Sequence, residues 1–296
     1  MISQREEMMD IVRRRAGWTL LLCFLIACGG ARTSPVGAPM PDLPAPPIVN
    51  PSPASSWTFN YMPGALRYQV SRSAAIESQS DSSPAREIST NTTRELITLT
   101  PAGDTIHFTA IVDTFSTITQ GTIGPVQSVP LPVQLSGSFV GDSLIISVDS
   151  TTEKCNPVSS ALSADLHNLL VRFPAQLSQG SNWRDSAELT ACQGMIPTTV
   201  HIARSYLVSG ETAYQGESVL LIQRTDSIHA HGEGAQQQHH VILDASGTGN
   251  AIYYVSPKDG RIVRVNTGQD LDLVITASGK IHRFKQNSKQ EFNFVR

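Results

Sequence analysis

The chain has 296 residues, a formal charge of −3, and only 16% charged and 6% aromatic residues. A mildly acidic balance without a basic cluster excludes a nucleic-acid surface, which needs a dense stripe of lysine and arginine. After the first thirty residues no apolar run approaches the roughly 20 residues that a membrane-crossing helix requires.

In chain order, the first element is residues 13–30, RRRAGWTLLLCFLIACGG. Three arginines precede an apolar run too short to span a bilayer, and small residues follow it. That is the order of a secretory signal. Leu25-Ile26-Ala27-Cys28 at its end resembles the lipobox of bacterial lipoproteins. The resemblance implies that residues 1–27 are a signal peptide cut just before Cys28, whose thiol receives a diacylglyceryl group and whose new amine is acylated. The mature protein is then expected in the cell envelope, anchored by lipid. Gly29 rather than aspartate after the cysteine favours the outer membrane in a diderm organism. With the leader go four arginines and three acids, so the formal charge moves from −3 to −4.

Cysteine usage agrees with export. Cys23 leaves with the leader and Cys28 is committed to lipid, so Cys155 and Cys192 remain as one pair. In an oxidising compartment they are expected to form a disulfide. Closing that loop would contribute about 4 kcal/mol at most. Two free thiols with redox or metal chemistry would call for a CxxC or a neighbouring histidine, and the sequence has neither.

Residues 28–56 read as a tether, dense in Pro, Ala and Ser and without apolar periodicity. Such a composition cannot bury a core and favours extended polyproline conformations, about 3.1 Å per residue. The folded domain is expected over residues 57–296, where aromatic residues begin with Trp57, Phe59, Tyr61 and Tyr68.

Strand signals fill most of that domain. Residues 96–100 and 105–112 alternate apolar and polar side chains around Pro101-Ala-Gly-Asp104, the pattern of a hairpin. The pattern repeats at 133–139 and 144–148, then at 199–208 and 219–228, the latter running into a Gly- and Gln-rich loop. It returns at 251–255 with 261–265, and at 271–276 with 280–284. Two strand-rich halves, 57–150 and 193–296, are joined by segment 155–192, which carries one helix. There Asn156 can cap and Pro157 suits the first helical position. Leu162, Leu166, Leu169, Leu170 and Phe173 follow at helical spacing, and Pro174 ends the run. The fold class is therefore mainly β, an antiparallel meander with one amphipathic helix crossover. The layout resembles the half-barrel lipoproteins of bacterial envelopes, the LolA/LppX-like group, which carry helices on the concave face of a curved sheet, and the resemblance implies a curved antiparallel sheet or half-barrel here. It is also similar to envelope lipoproteins with a Gly-x-x-Trp segment after a short helix, here Gly180-Ser-Asn-Trp183.

The search for chemistry gives little. On a strand, His229 and His231 share a face, and a hairpin through residues 232–238 could bring His239 or His240 opposite them, as zinc or copper would need. The plainer expectation is polar residues on the solvated side of an exposed hairpin, with no metal. Asp244-Ala-Ser-Gly247 departs from the Asp-Ser-Gly of aspartic proteases at Ala245, and a second copy is missing. Neither a Gly-x-Ser-x-Gly elbow nor a phosphate-cradling glycine loop is present. Leu162, Leu166, Leu169, Leu170 and Phe173 can face an apolar ligand or fill a core, and periodicity does not separate the two. Trp183 can face a ligand, as a lid or a sugar-stacking platform, or close one end of the sheet against the helix. The expectation is a non-catalytic, cofactor-free envelope lipoprotein. Its partners would be membrane lipid, through acylated Cys28, and either an apolar ligand or an envelope protein. A structural or assembly module without a ligand is the alternative, and a metal-dependent enzyme the third.

Overall fold

Alternating side chains punctuated by turn residues draw the chain out into long strands. The computed structural model describes residues 56–59, 63–79, 86–102, 105–120, 131–140, 143–147, 155–193, 196–236 and 239–296. The leader, Cys28 and all of the tether except Ser56 lie outside the described residues. After a short β1 (Ser56–Thr58), a first meander runs through β2 (Gly64–Ser78), β3 (Arg86–Ala102), β4 (Thr105–Gln120), β5 (Val133–Val140) and β6 (Ser143–Ser147). Helix α1 (Pro157–Leu169) and a short β7 (Gln176–Ser178) follow. The second meander comprises β8 (Asn182–Gln193), β9 (Ile196–Tyr214), β10 (Glu217–Gln236), β11 (His239–Val255), β12 (Ile262–Ala277) and β13 (Lys280–Val295).

The two meanders are one sheet. The last strand, β13, pairs antiparallel with β2, giving eleven strands in the order β6-β5-β4-β3-β2-β13-β12-β11-β10-β9-β8. This antiparallel sheet curls into a half-barrel. Its two edges, β6 and β8, are the strands that flank α1 in sequence, so the crossover runs from one edge to the other. β1 pairs with β7 beside it.

Helix α1 starts as its sequence dictates. Asn156 Oδ1 accepts from the N–H groups of Val158 (2.9 Å) and Ser159 (3.1 Å), and Pro157 occupies the first turn. It ends at Leu169, four residues before the expected Phe173. Pro174 accounts for this: its ring would clash with the carbonyl of residue 170 in a helix, and it biases Phe173 toward extended backbone. Cys155 and Cys192 form the expected disulfide, with Cα atoms 5.4 Å apart, and Cys192 N–H donates to Ser160 Oγ (3.0 Å). The helix N-terminus is thereby fastened to the end of β8. Residues 182–185, where the sequence carries no strand signal, open β8 after a turn in which Gly180 takes φ 81°.

Three layers line the concave face. Nearest α1 is an apolar layer in which Leu162, Leu166 and Leu169 pack with Val70, Ile97, Phe108, Tyr253 and Phe292. At the far end lies a second apolar cluster, contributed by strands alone and including Ile196, Val200, Ile228, Leu243 and Leu273. Between them runs a belt of buried charge. Arg72 donates to Asn91 Oδ1 (3.2 Å), Thr93 Oγ1 (2.9 Å) and Glu95 Oε1 (3.0 Å), and pairs with Asp165 of the helix. Arg224 binds Asp226 Oδ2 (2.9 Å) and Asn168 Oδ1 (3.0 Å). Arg204 binds Asp185 Oδ1 (2.7 Å) and the His167 carbonyl (3.0 Å). Three arginines of the sheet thus each take a group from α1, which fixes how the helix is seated.

Candidate functional site

The curled sheet does not close, and the gap between β6 and β8 is only partly filled by α1. Beside the helix C-terminus a cleft of about 720 Å³ remains, within the range of ligand sites. One wall is the β6 edge at Ser143 and Leu144, backed by Ile106 and Phe139. The facing wall is the β8 edge from Trp183 to Glu188. Residues 170–175 form the floor, with Phe59 at one end.

An aromatic series supports the β8 wall. Trp183 stacks on Tyr206 with ring centroids 4.7 Å apart and planes within 1° of parallel, and it meets the edge of Phe173 at 6.1 Å. Phe173 in turn contacts Phe59 at 5.4 Å. Trp183 therefore closes the sheet against the segment that follows the helix, and its indole N–H has no acceptor among the described residues. Burial, with a smaller contribution from Arg204, pushes the His167 imidazole at the cleft down to about 4, so it is neutral at physiological pH. Burial also raises the carboxyl of Glu95 and lowers the guanidinium of Arg72 in the belt below, with their mutual attraction opposing both shifts.

The hydrogen-bond register of β8 shows what its edge presents. Val208 N–H donates to the Ser181 carbonyl (2.9 Å), and β8 pairs with β9 without a bulge from Asn182 to Gln193. Antiparallel bonding alternates, so Trp183, Asp185 and Ala187 bond to β9. Asn182, Arg184, Ser186 and Glu188 turn their N–H and C=O groups away from it. The Cys192 N–H, in the same phase, reaches Ser160 on the helix and confirms the alternation. Along the cleft, then, β8 offers main-chain donors and acceptors outside the sheet's own ladder.

Of the residues singled out from sequence, Leu170, Phe173 and Trp183 line the cleft, whereas Leu162, Leu166 and Leu169 are buried in the core. The histidines do not converge. Residues 232–236 continue β10 instead of forming a loop, so the hairpin register sets His231 opposite Asp244 and His229 opposite Ser246. His239 falls opposite Gln236 at the tip. His231 Nδ1 contacts Asp244 Oδ1 (2.8 Å), His240 Nε2 contacts Glu233 Oε1 (2.7 Å), and His239 Nδ1 contacts Ser278 Oγ (2.8 Å). Among the described residues no three His, Cys, Asp or Glu side chains are grouped to hold a metal. Arg184, Ser186, Leu144 and His167 were not singled out from sequence, because their roles come from the crossover bringing two edges together.

No protein-family model matches the chain, and no curated relative does. Among solved structures it is similar to Neisserial surface protein A, at 8% identity over 78% of this chain and 99% of that one, with a TM-score of 0.20. OpdQ of Pseudomonas aeruginosa is similar at 7% identity over 79% and 99%, with a TM-score of 0.22. OmpT, an outer membrane protein of Vibrio cholerae, is similar at 8% identity over 78% and 99%, again with a TM-score of 0.22. TM-scores this low leave the properties of those proteins with those proteins.

Proposed function

We propose that this chain is a non-catalytic protein of the bacterial cell envelope, anchored by lipid on Cys28, which binds a partner protein in the cleft between β6 and β8. The observation that carries the proposal is where the open volume lies. The helix fills the concave face with packed leucines, and a cleft of about 720 Å³ stays open at the seam between two strand edges. The outward face of the sheet carries exposed Arg184, Glu188, His201, His229 and Asp272. A lipid-spanning barrel instead presents an apolar outer band, so in this reading the membrane attachment falls to Cys28 and its tether.

A second occupant, an apolar ligand, is favoured by Phe59, Leu144, Leu170, Phe173 and Trp183 along the same cleft. Native mass spectrometry of the full chain, gently cross-linked in cells and purified, separates the two. We expect a protein adduct that disappears in Leu144→Arg, while detergent partitioning holds wild type, but not Cys28→Ala, in the detergent phase. A lipid adduct would transfer the cleft to the apolar ligand. A bare mass for wild type would overturn both, and wild type in the aqueous phase would remove the anchor.

A further inference from the structure

We infer that the occupant of the cleft is an extended polypeptide segment of another envelope protein, which adds to the β8 edge as a further strand. This rests on the cleft being a partner site and specifies how the partner is held. The carbonyl and amide groups of Arg184 and Ser186 point away from β9, in the stretch of β8 that borders the cleft. Toward the end of the strand the same phase of groups is already engaged, since Cys192 N–H bonds Ser160. The helix therefore covers the far part of the edge and leaves the near part, about one short strand long, open to an added chain.

Side chains define the segment further. Strand alternation puts exposed Arg184 and Glu188 on the outer face, with Trp183 and Ala187 turned inward. An added strand would set every second side chain against Trp183 and the apolar cleft floor, and the intervening ones beside Arg184 and Glu188. Glu188 already contacts His201 Nδ1 at 3.1 Å, whereas Arg184 has no ion-pair partner among the described residues. The fitting segment alternates apolar with polar residues and places an acid opposite Arg184. Proline in the bonding phase would exclude it, because proline has no N–H to donate.

The test uses the full chain in detergent and two synthetic heptapeptides that alternate valine with aspartate and threonine. One is unmodified, and the other carries N-methyl groups on alternate residues of the bonding phase. The unmodified peptide is expected to slow amide exchange at Arg184 and Ser186 at least about tenfold, and the methylated one is not. Ser186→Pro, which removes an N–H that β9 does not use, is expected to lose at least tenfold in affinity, and Ser186→Ala to bind as wild type. Equal slowing by both peptides, or none by either, overturns strand addition. If the Trp183 indole resonance moves while neither amide slows, the cleft binds the peptide in another manner. The inference then fails and the partner site stands. If nothing moves, both fail. The peptide comparison decides even if Ser186→Pro does not fold.

Discussion

On the helix side of the buried arginines the concave face carries Tyr68, Phe108, Phe139, Tyr253 and Phe292, and α1 is packed against it. On the other side it carries Ile196, Val200, Ile228, Leu243 and Leu273 together with Ala191, Ala230, Ala245, Gly232 and Gly247, and no residue of α1 belongs to that cluster. The same strands β9 to β13 pass through both regions, and what differs is the packing partner: leucines of α1 on one side, strand side chains alone on the other. A Cβ at Gly247 would lie 2.0 Å from the Asp270 carbonyl oxygen, and one at Gly232 would lie 2.5 Å from Thr198 Oγ1. On the side that α1 covers, its leucines and the large rings of the sheet fill the concave face, and the cleft is the space left between β6 and β8 beside the helix C-terminus.

The largest effect should come from forcing volume into the region packed by strands alone. Gly247→Val is expected to cost at least about 3 kcal/mol, because the clash is with backbone and cannot be relieved by a rotamer. Urea unfolding measures it, and a cost below about 1 kcal/mol would mean that this region is looser than described. The helix side should instead respond to pH through His167. Its folded value, about 4, lies below the ordinary 6.5. The stability it contributes is therefore complete above pH 6.5 and is lost as pH falls from there toward 4. The loss is about 3 kcal/mol over that interval. His167→Gln should flatten this part of the stability profile by that amount, and an unchanged profile would show that the imidazole is hydrated.

Much of the fold was legible because local signals agreed with one another. Asn156 and Pro157 marked the helix start, turn residues marked the hairpins, and elimination paired Cys155 with Cys192, which the structure bonds. β8 was hidden because one of its inward positions is Asp185, which Arg204 neutralises, so the apolar alternation is broken where a strand begins. Arg72, Asn91, Thr93 and Glu95 likewise resemble solvated residues in sequence, yet all four are buried and bond to one another or to the helix. Gly232 and Gly234 gave residues 232–238 the look of a loop, although glycine there serves a close approach of strands. The cleft could not be read at all, since it exists only once β6 and β8 stand on either side of α1.

The seam between β6 and β8 is open along the first half of β8, with its ladder to β9 complete. Amide hydrogen exchange of the free full chain, resolved residue by residue, tests it most directly. An open edge gives alternation, with Arg184 and Ser186 exchanging fast while Trp183, Asp185 and Ala187 exchange slowly. Uniformly slow exchange from residue 183 to 187 would show that the edge is already covered, and would contradict it.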